Sequence, residues 1–213
     1  VTRLFEVVNV EQGSEEWFQV RAGRVTGGEA AAVMAGKDTA TRKDYRLKLA
    51  VERMTGKPEI DDYSNRYMRH GQETEPMARL AVEMRMKVLV RETGFLRHTS
   101  LLIGASLDGD IDDFAKTIEI KCPKPTTHVD YLQAGRLPAV YRWQVVHGLL
   151  VSGAQSCIFA SYCPGLPDGL QLFCIEVHAK DLPLEEYETA LKAFLKEVDD
   201  THEQLLRLRK KHE

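Results

Sequence analysis

The sequence predicts an α/β protein in which a central mixed β-sheet is flanked by helices. Three observations predict it. In the first part of the chain, apolar residues recur near every fourth position, the spacing of helices that bury one face. From Gly94 the pattern changes to short runs suited to strands, rich in β-branched residues and bounded by turn formers. A helical segment separates the second and third of these runs, and a long charged helix closes the chain.

Taken in order, a short apolar start is followed by Ser14, placed to cap a first helix that carries Trp17, Phe18 and Val20. After the loop Arg21-Ala-Gly-Arg24, Thr26 and Glu29 have the spacing of a capping box ahead of an alanine-rich second helix. A polar helix is expected from about Lys43 to Met54, ended by Gly56 and Pro58, and then a segment rich in Asp, Tyr, Arg and Asn. Met77, Leu80, Ala81 and Met84 have helical spacing and are expected to face the core, with Glu75 at the cap and Pro76 in the first turn or at a kink. The strand runs are Leu101 to Ala105, Thr117 to Cys122, Cys157 to Tyr162 and Leu170 to Val177, expected to form one mixed sheet. Ala139 to Val151 is the intervening helix, and Leu184 to about Arg209 the last.

With 213 residues, 43% of them hydrophobic, the chain can bury a sizeable core and fits one domain over 1–213. Its net charge of -3 lacks the basic balance that often announces a nucleic-acid partner, so any DNA contact must come from a local basic surface. No apolar run approaches the roughly 18 residues of a membrane span, and Arg3, Glu6 and Glu11 interrupt any signal-peptide core. A soluble, intracellular protein is expected. Cys122, Cys157, Cys163 and Cys174 have no CxxC spacing and read as reduced core or near-core thiols. The histidines form no HExxH, which leaves carboxylates as the candidate metal ligands.

The chemistry is concentrated in Ser106-Leu-Asp108-Gly109 and Thr117-Ile-Glu119-Ile-Lys121-Cys-Pro123. Side chains alternate along a strand, so Glu119 and Lys121 emerge on one face while Ile118, Ile120 and Cys122 take the other. If the run ending at Ala105 pairs with the run 117–122 as a hairpin, Asp108 lies near Glu119 and two carboxylates converge. Converging carboxylates repel unless a cation sits between them, and hard oxygen ligands suit magnesium. Such an ion acidifies bound water and neutralises a scissile phosphate, with Lys121 beside it and the Ile120 carbonyl as a further ligand. Alone, the motif is short: Glu-x-Lys on a strand is commonly a solvated face, and Asp-Gly commonly a turn.

The arrangement Asp108…Glu119-Ile-Lys121 is similar to the PD-(D/E)xK nuclease signature. More narrowly, the chain resembles the phage lambda exonuclease and YqaJ-type viral recombinases. The shared motifs are Gln12-Gly-Ser-Glu-Glu-Trp17, Arg21-Ala-Gly-Arg-Val-Thr26, His70-Gly-Gln-Glu-Thr-Glu75, Ser106-Leu-Asp-Gly109, Glu119-Ile-Lys-Cys-Pro123 and Tyr141-Arg-Trp-Gln144. The resemblance implies a restriction-endonuclease-like core. It implies that Asp108, Glu119 and the Ile120 carbonyl bind metal, that Glu75 lies near a second metal position, and that Lys121 is the catalytic lysine. It further implies that Arg21, Ser106 and Gln144 hold the 5' phosphate of a DNA end and that Tyr141 lies near the active site. Where the family's phosphate pocket can carry a serine, this chain has Gly28, so Thr26 or helix amides would have to replace that contact. Leu107 stands where the signature has proline.

Each secondary residue also has a plainer reading. Glu75 can cap a helix, Gln144 can be a buried and satisfied polar residue, and Tyr141 and His147 can serve packing alone. Arg42, with Lys43, Arg46 and Lys48, can track DNA backbone or form an ordinary charged helix face, and the basic tail Arg207 to Lys211 suits a helix C-terminus. The function expected is a magnesium-dependent 5'-to-3' exonuclease acting on double-stranded DNA ends. It would use two ions, with manganese as a substitute, release mononucleotides and leave a 3' overhang. The resemblance implies a ring-shaped homotrimer, a single-strand annealing protein as partner, and a phage or prophage origin in the cytoplasm of a bacterial host. The rivals are an endonuclease on the same core and a non-catalytic DNA-end-binding module.

Overall fold

The computed structural model describes residues 3–59 and 66–212. It opens with strand β1 (Phe5–Val8) and helix α1 (Glu15–Arg21), whose first turn is capped as expected by Ser14 accepting the Trp17 N–H at 3.1 Å. The expected capping box at Thr26 does not form. A 3-10 turn, Gly27–Glu29, precedes the short helix α2 (Ala30–Met34), and the Thr26 hydroxyl turns instead toward Arg21. Helix α3 (Ala40–Thr55) starts at a Thr39 cap and stops where Gly56 enters the left-handed region at φ 67°. Most of the expected Asp-, Tyr- and Asn-rich segment lies outside the described residues.

Helix α4 (Arg66–Met86) differs from the expected segment in two ways. It begins well before Glu75 and carries Pro76 in its interior, so Glu75 is a mid-helix residue and not a cap. The face toward the core is Thr74, Ala78 and Val82, while Met77, Leu80 and Met84 are exposed at 51%, 57% and 75%. Small side chains let this helix lie close to the sheet beneath it, and close approach outweighs the larger apolar area of the methionine face.

The single expected sheet is two. Strands β1, β2 (Phe95–His98) and β3 (Gly104–Ser106) form an antiparallel three-stranded sheet. Strands β4 (Gly109–Ile111), β5 (Lys116–Lys121), β6 (Ser156–Tyr162) and β7 (Leu172–His178) form a mixed sheet in that order, with β5 and β6 parallel and the other pairs antiparallel. The hairpin partner of β5 is therefore β4, and the run before Asp108 pairs with β2. Parallel pairing needs a long crossover. Helix α5 (Pro125–Ala134), begun by a proline at its first turn, and helix α6 (Arg142–Ser152) supply it.

Helix α7 (Leu184–His212) packs on α3, α2 and α6, and Tyr187, Leu191, Phe194 and Val198 form its buried face in the main core. A second core lies between α4 and the mixed sheet, built on Ala78, Val82, Ile118, Ile120 and Ile158. Strand β6 is buried along almost its whole length, as expected for a strand covered on both faces. His147 is fully buried between Tyr187 Oη at 2.8 Å and the Gly104 carbonyl at 2.9 Å, a structural role. The four cysteines are free thiols, two of them buried.

Candidate active site

The chain passes from one sheet to the other at Leu107-Asp108, and this step creates the site. Gly109 follows because β4 approaches the Val90 segment so closely that a Cβ there would stand 2.4 Å from Val90 Cγ1. Gly109 lies opposite Ile118, which sets Asp108 beside the Glu119–Ile120 step, and Asp108 Oδ2 accepts the Ile120 N–H at 2.6 Å. Glu119 sits mid-strand and is 5% exposed, while Ile118 and Ile120 enter the core on the opposite face. Lys121, two residues on, brings its ammonium to 2.5 Å from Glu119 Oε1. The alternation read from the sequence holds.

Five further expected residues converge here: Gln144, Arg21, Ser106, Thr26 and Tyr141. Gln144, on the first turns of α6, donates from Nε2 to Glu119 Oε1 at 2.6 Å. Arg21 leaves the end of α1, lies over the Trp17 ring at 3.9 Å, and donates to Ser106 Oγ at 2.8 Å and Thr26 Oγ1 at 3.3 Å. Tyr141 lies under Lys121, whose Nζ is 5.1 Å from the ring centroid, and stacks on Phe159. Two hollows meet at this point. One, of about 340 Å³, is lined by Arg21, Gly28, Glu119, Lys121 and Gln144. The other, of about 680 Å³, is lined by Asn9, Glu75, Arg79 and Glu92. Gln12, Trp17, Ser106, Leu107 and Asp108 line both.

Glu75 reaches the larger hollow from α4, where Arg79 donates to it at 2.9 Å. Burial and the charge of Asp108 raise the Glu75 carboxyl above its ordinary range against the pull of Arg79. Burial raises Asp108, opposed by Lys121 and the Ile120 N–H. Burial pushes Glu119 up to about 7, opposed by Lys121 and reinforced by Asp108 and Glu75. Burial by itself would lower Lys121, but Glu119 and Asp108 outweigh it and hold the ammonium above its usual value. Among the described residues no three Asp, Glu, His or Cys side chains are arranged to hold an ion as they stand. The donor chemistry nevertheless fits a hard divalent cation, because burial first and the neighbouring Asp108 and Glu75 second disfavour the Glu119 carboxylate, and a cation among these oxygens would relieve both.

Arg42 is the expected site residue that lies elsewhere. It is 5% exposed, bound by Glu197 through Nε at 3.1 Å and Nη2 at 3.0 Å, and its Nη1 is given to the carbonyls of Val33 and Ala35. Stacked over Phe194, with four of its five N–H groups committed to these partners, it ties α3 to α7 as a buried cation and is not part of an exposed helix face. Sequence reasoning gave no role to Trp17 or Arg79. Trp17 donates Nε1 to Ser106 Oγ at 3.0 Å and carries Arg21 on its face, and its spacing four residues before Arg21 on a helix was the available signal. Arg79 stands at the same spacing after Glu75.

Comparison with known proteins gives a family and a fold. Residues 16–155 match the model of the YqaJ-like viral recombinase domain. The alkaline exonuclease LHK-Exo from Laribacter hongkongensis is similar at 36% identity and a TM-score of 0.85, over 94% of this chain and 100% of that one. A structure of LHK-Exo in complex with dAMP matches at 37% identity with the same coverage and TM-score. A phage-related exonuclease from Haemophilus somnus 129PT has the same fold, at 12% identity and a TM-score of 0.65 over 87% of this chain and 96% of that one. No curated protein matches. With the matched domain spanning the first loop, the carboxylates, Lys121 and Gln144, the chain belongs to the YqaJ-like viral recombinase family.

Proposed function

We propose that the chain, acting as one nuclease domain over residues 1–213, is a magnesium-dependent 5'-to-3' exonuclease on double-stranded DNA ends. One observation carries the reading: Asp108, Glu119 and Lys121 share the wall of a hollow with Arg21, Ser106 and Gln144. A metal-nuclease triad and a cation with hydroxyl and amide neighbours thus open on the same space. The exonuclease descriptions of the similar structures support it.

Asp108, Glu119 and the Ile120 carbonyl would hold the ion, with Glu75 toward a second position and manganese as a substitute. When bound, magnesium supplies an acidified water and neutralises charge on the scissile phosphate. Lys121 donates to the attacking water or to a phosphate oxygen, and Tyr141 beneath it limits where that ammonium can go. Gln144 fixes the Glu119 carboxylate. Arg21 presents its guanidinium fork to the 5' phosphate, steadied by Thr26 and Trp17, and the Ser106 hydroxyl, accepting from Arg21 and Trp17, keeps its own proton for the phosphate. Mononucleotides leave and a 3' overhang remains for a single-strand annealing protein.

We infer a homotrimeric ring working in the bacterial cytoplasm as a phage or prophage protein; the exposed Met77, Leu80 and Met84 stripe of α4 supports association. Light scattering tests the oligomer, and a monomer would refute it. The activity is tested by digesting a linear duplex with 5' phosphate, with magnesium present or chelated. Wild type is expected to release mononucleotides only with magnesium and to leave covalently closed circles intact, and Asp108→Ala to be slower by about 10³-fold. Equal cutting by both proteins would overturn the site.

A further inference from the structure

Outside both hollows, the loop that carries Arg21 runs into a cluster of arginines. Arg53 of α3 donates Nε to the Gly23 carbonyl at 2.8 Å and Nη1 to Asp199 at 2.6 Å. Its Nη2 is buried with no hydrogen-bond partner among the described residues. Gly23 is held against this side chain in the left-handed region at φ 70°, where a Cβ would stand 2.7 Å from Arg53 Cγ. The next residue, Arg24, is half-buried and makes no side-chain hydrogen bond or ion pair among the described residues.

The position of Arg24 is fixed by backbone. Val25 N–H bonds the Leu102 carbonyl and Gly104 N–H bonds the Val25 carbonyl, each at 3.0 Å, and Gly104 is the register partner of Arg97 on β2. Arg97 is thereby the third member, paired with Glu6 at 2.7 Å. Burial first, then the charges of Arg97 and Arg53, work against the Arg24 cation, and Glu6 relieves only part of this. The acids facing the cluster are few. Glu6 is taken by Arg97, Asp199 by Arg53, and the buried Glu52 carboxylate accepts the Gly23 and Glu59 N–H groups.

The three guanidinium groups repel one another and share three acids, but two of these are paired with Arg97 and Arg53 and the third is taken up by backbone N–H groups, so none forms an ion pair with Arg24. An anion relieves that repulsion, and the arginine fork suits phosphate oxygens. The Arg24 N–H bonds the Arg21 carbonyl at 3.0 Å, so a single tight turn separates Arg21, which lines the smaller hollow, from Arg24, which lines neither. From these observations we propose that Arg24, backed by Arg53 and Arg97, is a second DNA contact that binds backbone phosphates of the duplex outside the active hollow. The proposal rests on the nuclease reading for the nature of its anion.

The test is equilibrium binding of a fluorescent linear duplex, with metal chelated so that nothing is cut, across about 50 to 200 mM salt. Wild type, Arg24→Gln and Arg24→Lys are compared, each with 5'-phosphate and 5'-hydroxyl ends. Arg24→Gln is expected to weaken binding about 3- to 10-fold at the low-salt end and to reduce the slope of log affinity against log salt by about 0.9, equally for both kinds of end. Arg24→Lys is expected to keep the wild-type slope. If wild type binds duplex and Arg24→Gln matches it in affinity and slope, the proposal is wrong. It is also wrong if the loss is confined to 5'-phosphate ends, since Arg24 would then act through the Arg21 hollow. If wild type binds no duplex at all, the nuclease reading falls first and takes this proposal with it.

Discussion

The two hollows that meet at Asp108 each hold a partly buried arginine, and the two are partnered in opposite ways. Arg21 touches only neutral groups, the hydroxyls of Ser106 and Thr26 and the face of Trp17. Arg79 is bound between Glu75 and Glu92. Burial brings Arg21 down to about 10, so it remains cationic near neutrality, and no carboxylate forms an ion pair with it among the described residues, Glu52 acting on it only at a distance. The charge of Arg79 is spent in holding Glu75 beside Asp108. One arginine is ready for an anionic ligand and the other is part of the frame, a distinction that lies in their partners and not in residue type or depth.

Removing each arginine in turn, with binding and stability read separately, tests this difference in partners. Arg21→Ala is expected to weaken binding of 5'-phosphorylated duplex ends by about 30- to 100-fold, roughly 2 to 3 kcal/mol, and to abolish preference over 5'-hydroxyl ends. Arg21→Lys is expected to recover little of that preference, because an ammonium lacks the planar fork. Competition binding with the two kinds of end decides it. Were Arg21→Ala to keep its preference, the smaller hollow would not be a phosphate pocket.

Arg79→Ala should do the reverse, keeping the preference for 5' phosphate while destabilising the fold by about 1 to 2 kcal/mol near pH 8. The sign follows from the carboxylates left behind. Glu75 and Asp108 are already raised above their ordinary values, and Arg79 lowers both. Without it they rise further, and a carboxylate with a raised folded-state value costs stability only once pH climbs high enough to ionise it. The deficit of Arg79→Ala should therefore be smallest at acid pH and grow toward pH 8, as thermal unfolding at several pH values would show. Glu92, 77% exposed on its side chain, should contribute little of this. A deficit independent of pH would mean that Arg79 serves packing alone.

The same contrast explains how much of the site was legible in the sequence. Glu119 and Lys121 could be placed on one face because strand alternation is a property of the backbone. Asp108 was placed near Glu119 through the wrong hairpin, and the placement survived because β4 continues directly from the Leu107-Asp108 step. Strands of three or four residues, β1, β2 and β4, show too little of the period to be seen, so two sheets read as one. In α4 the sequence offered two apolar faces, and only contact with the mixed sheet, on β5, β6 and β7, decides for Ala78 and Val82 over Met77, Leu80 and Met84. Arg42 and Arg21 were alike as loop-proximal cations. What separates them is Glu197, 155 residues away from Arg42, and no local pattern reports such a partner.

Gly28 gives the smallest and sharpest version of the comparison, because it tests whether the Arg21 hollow has room for one more donor. A Cβ at Gly28 meets nothing within 4 Å, and the residue lines the hollow with Arg21 and Gln144. At Gly27, one residue earlier, a Cβ would come within 3.3 Å of Gln144 Cγ. Gln144 must stay where it is to donate to Glu119, so that crowding reaches the carboxylate. Gly28→Ser is therefore expected to tighten 5'-phosphate ends by about 2- to 5-fold, roughly 0.5 to 1 kcal/mol, leaving 5'-hydroxyl ends unchanged. Gly27→Ser should weaken cleavage without improving binding. The two variants add the same atoms one position apart, so a common effect would mean that chain stiffness, and not a hydroxyl aimed into the hollow, sets the response. Opposite signs would locate the phosphate on the Gly28 side of Arg21.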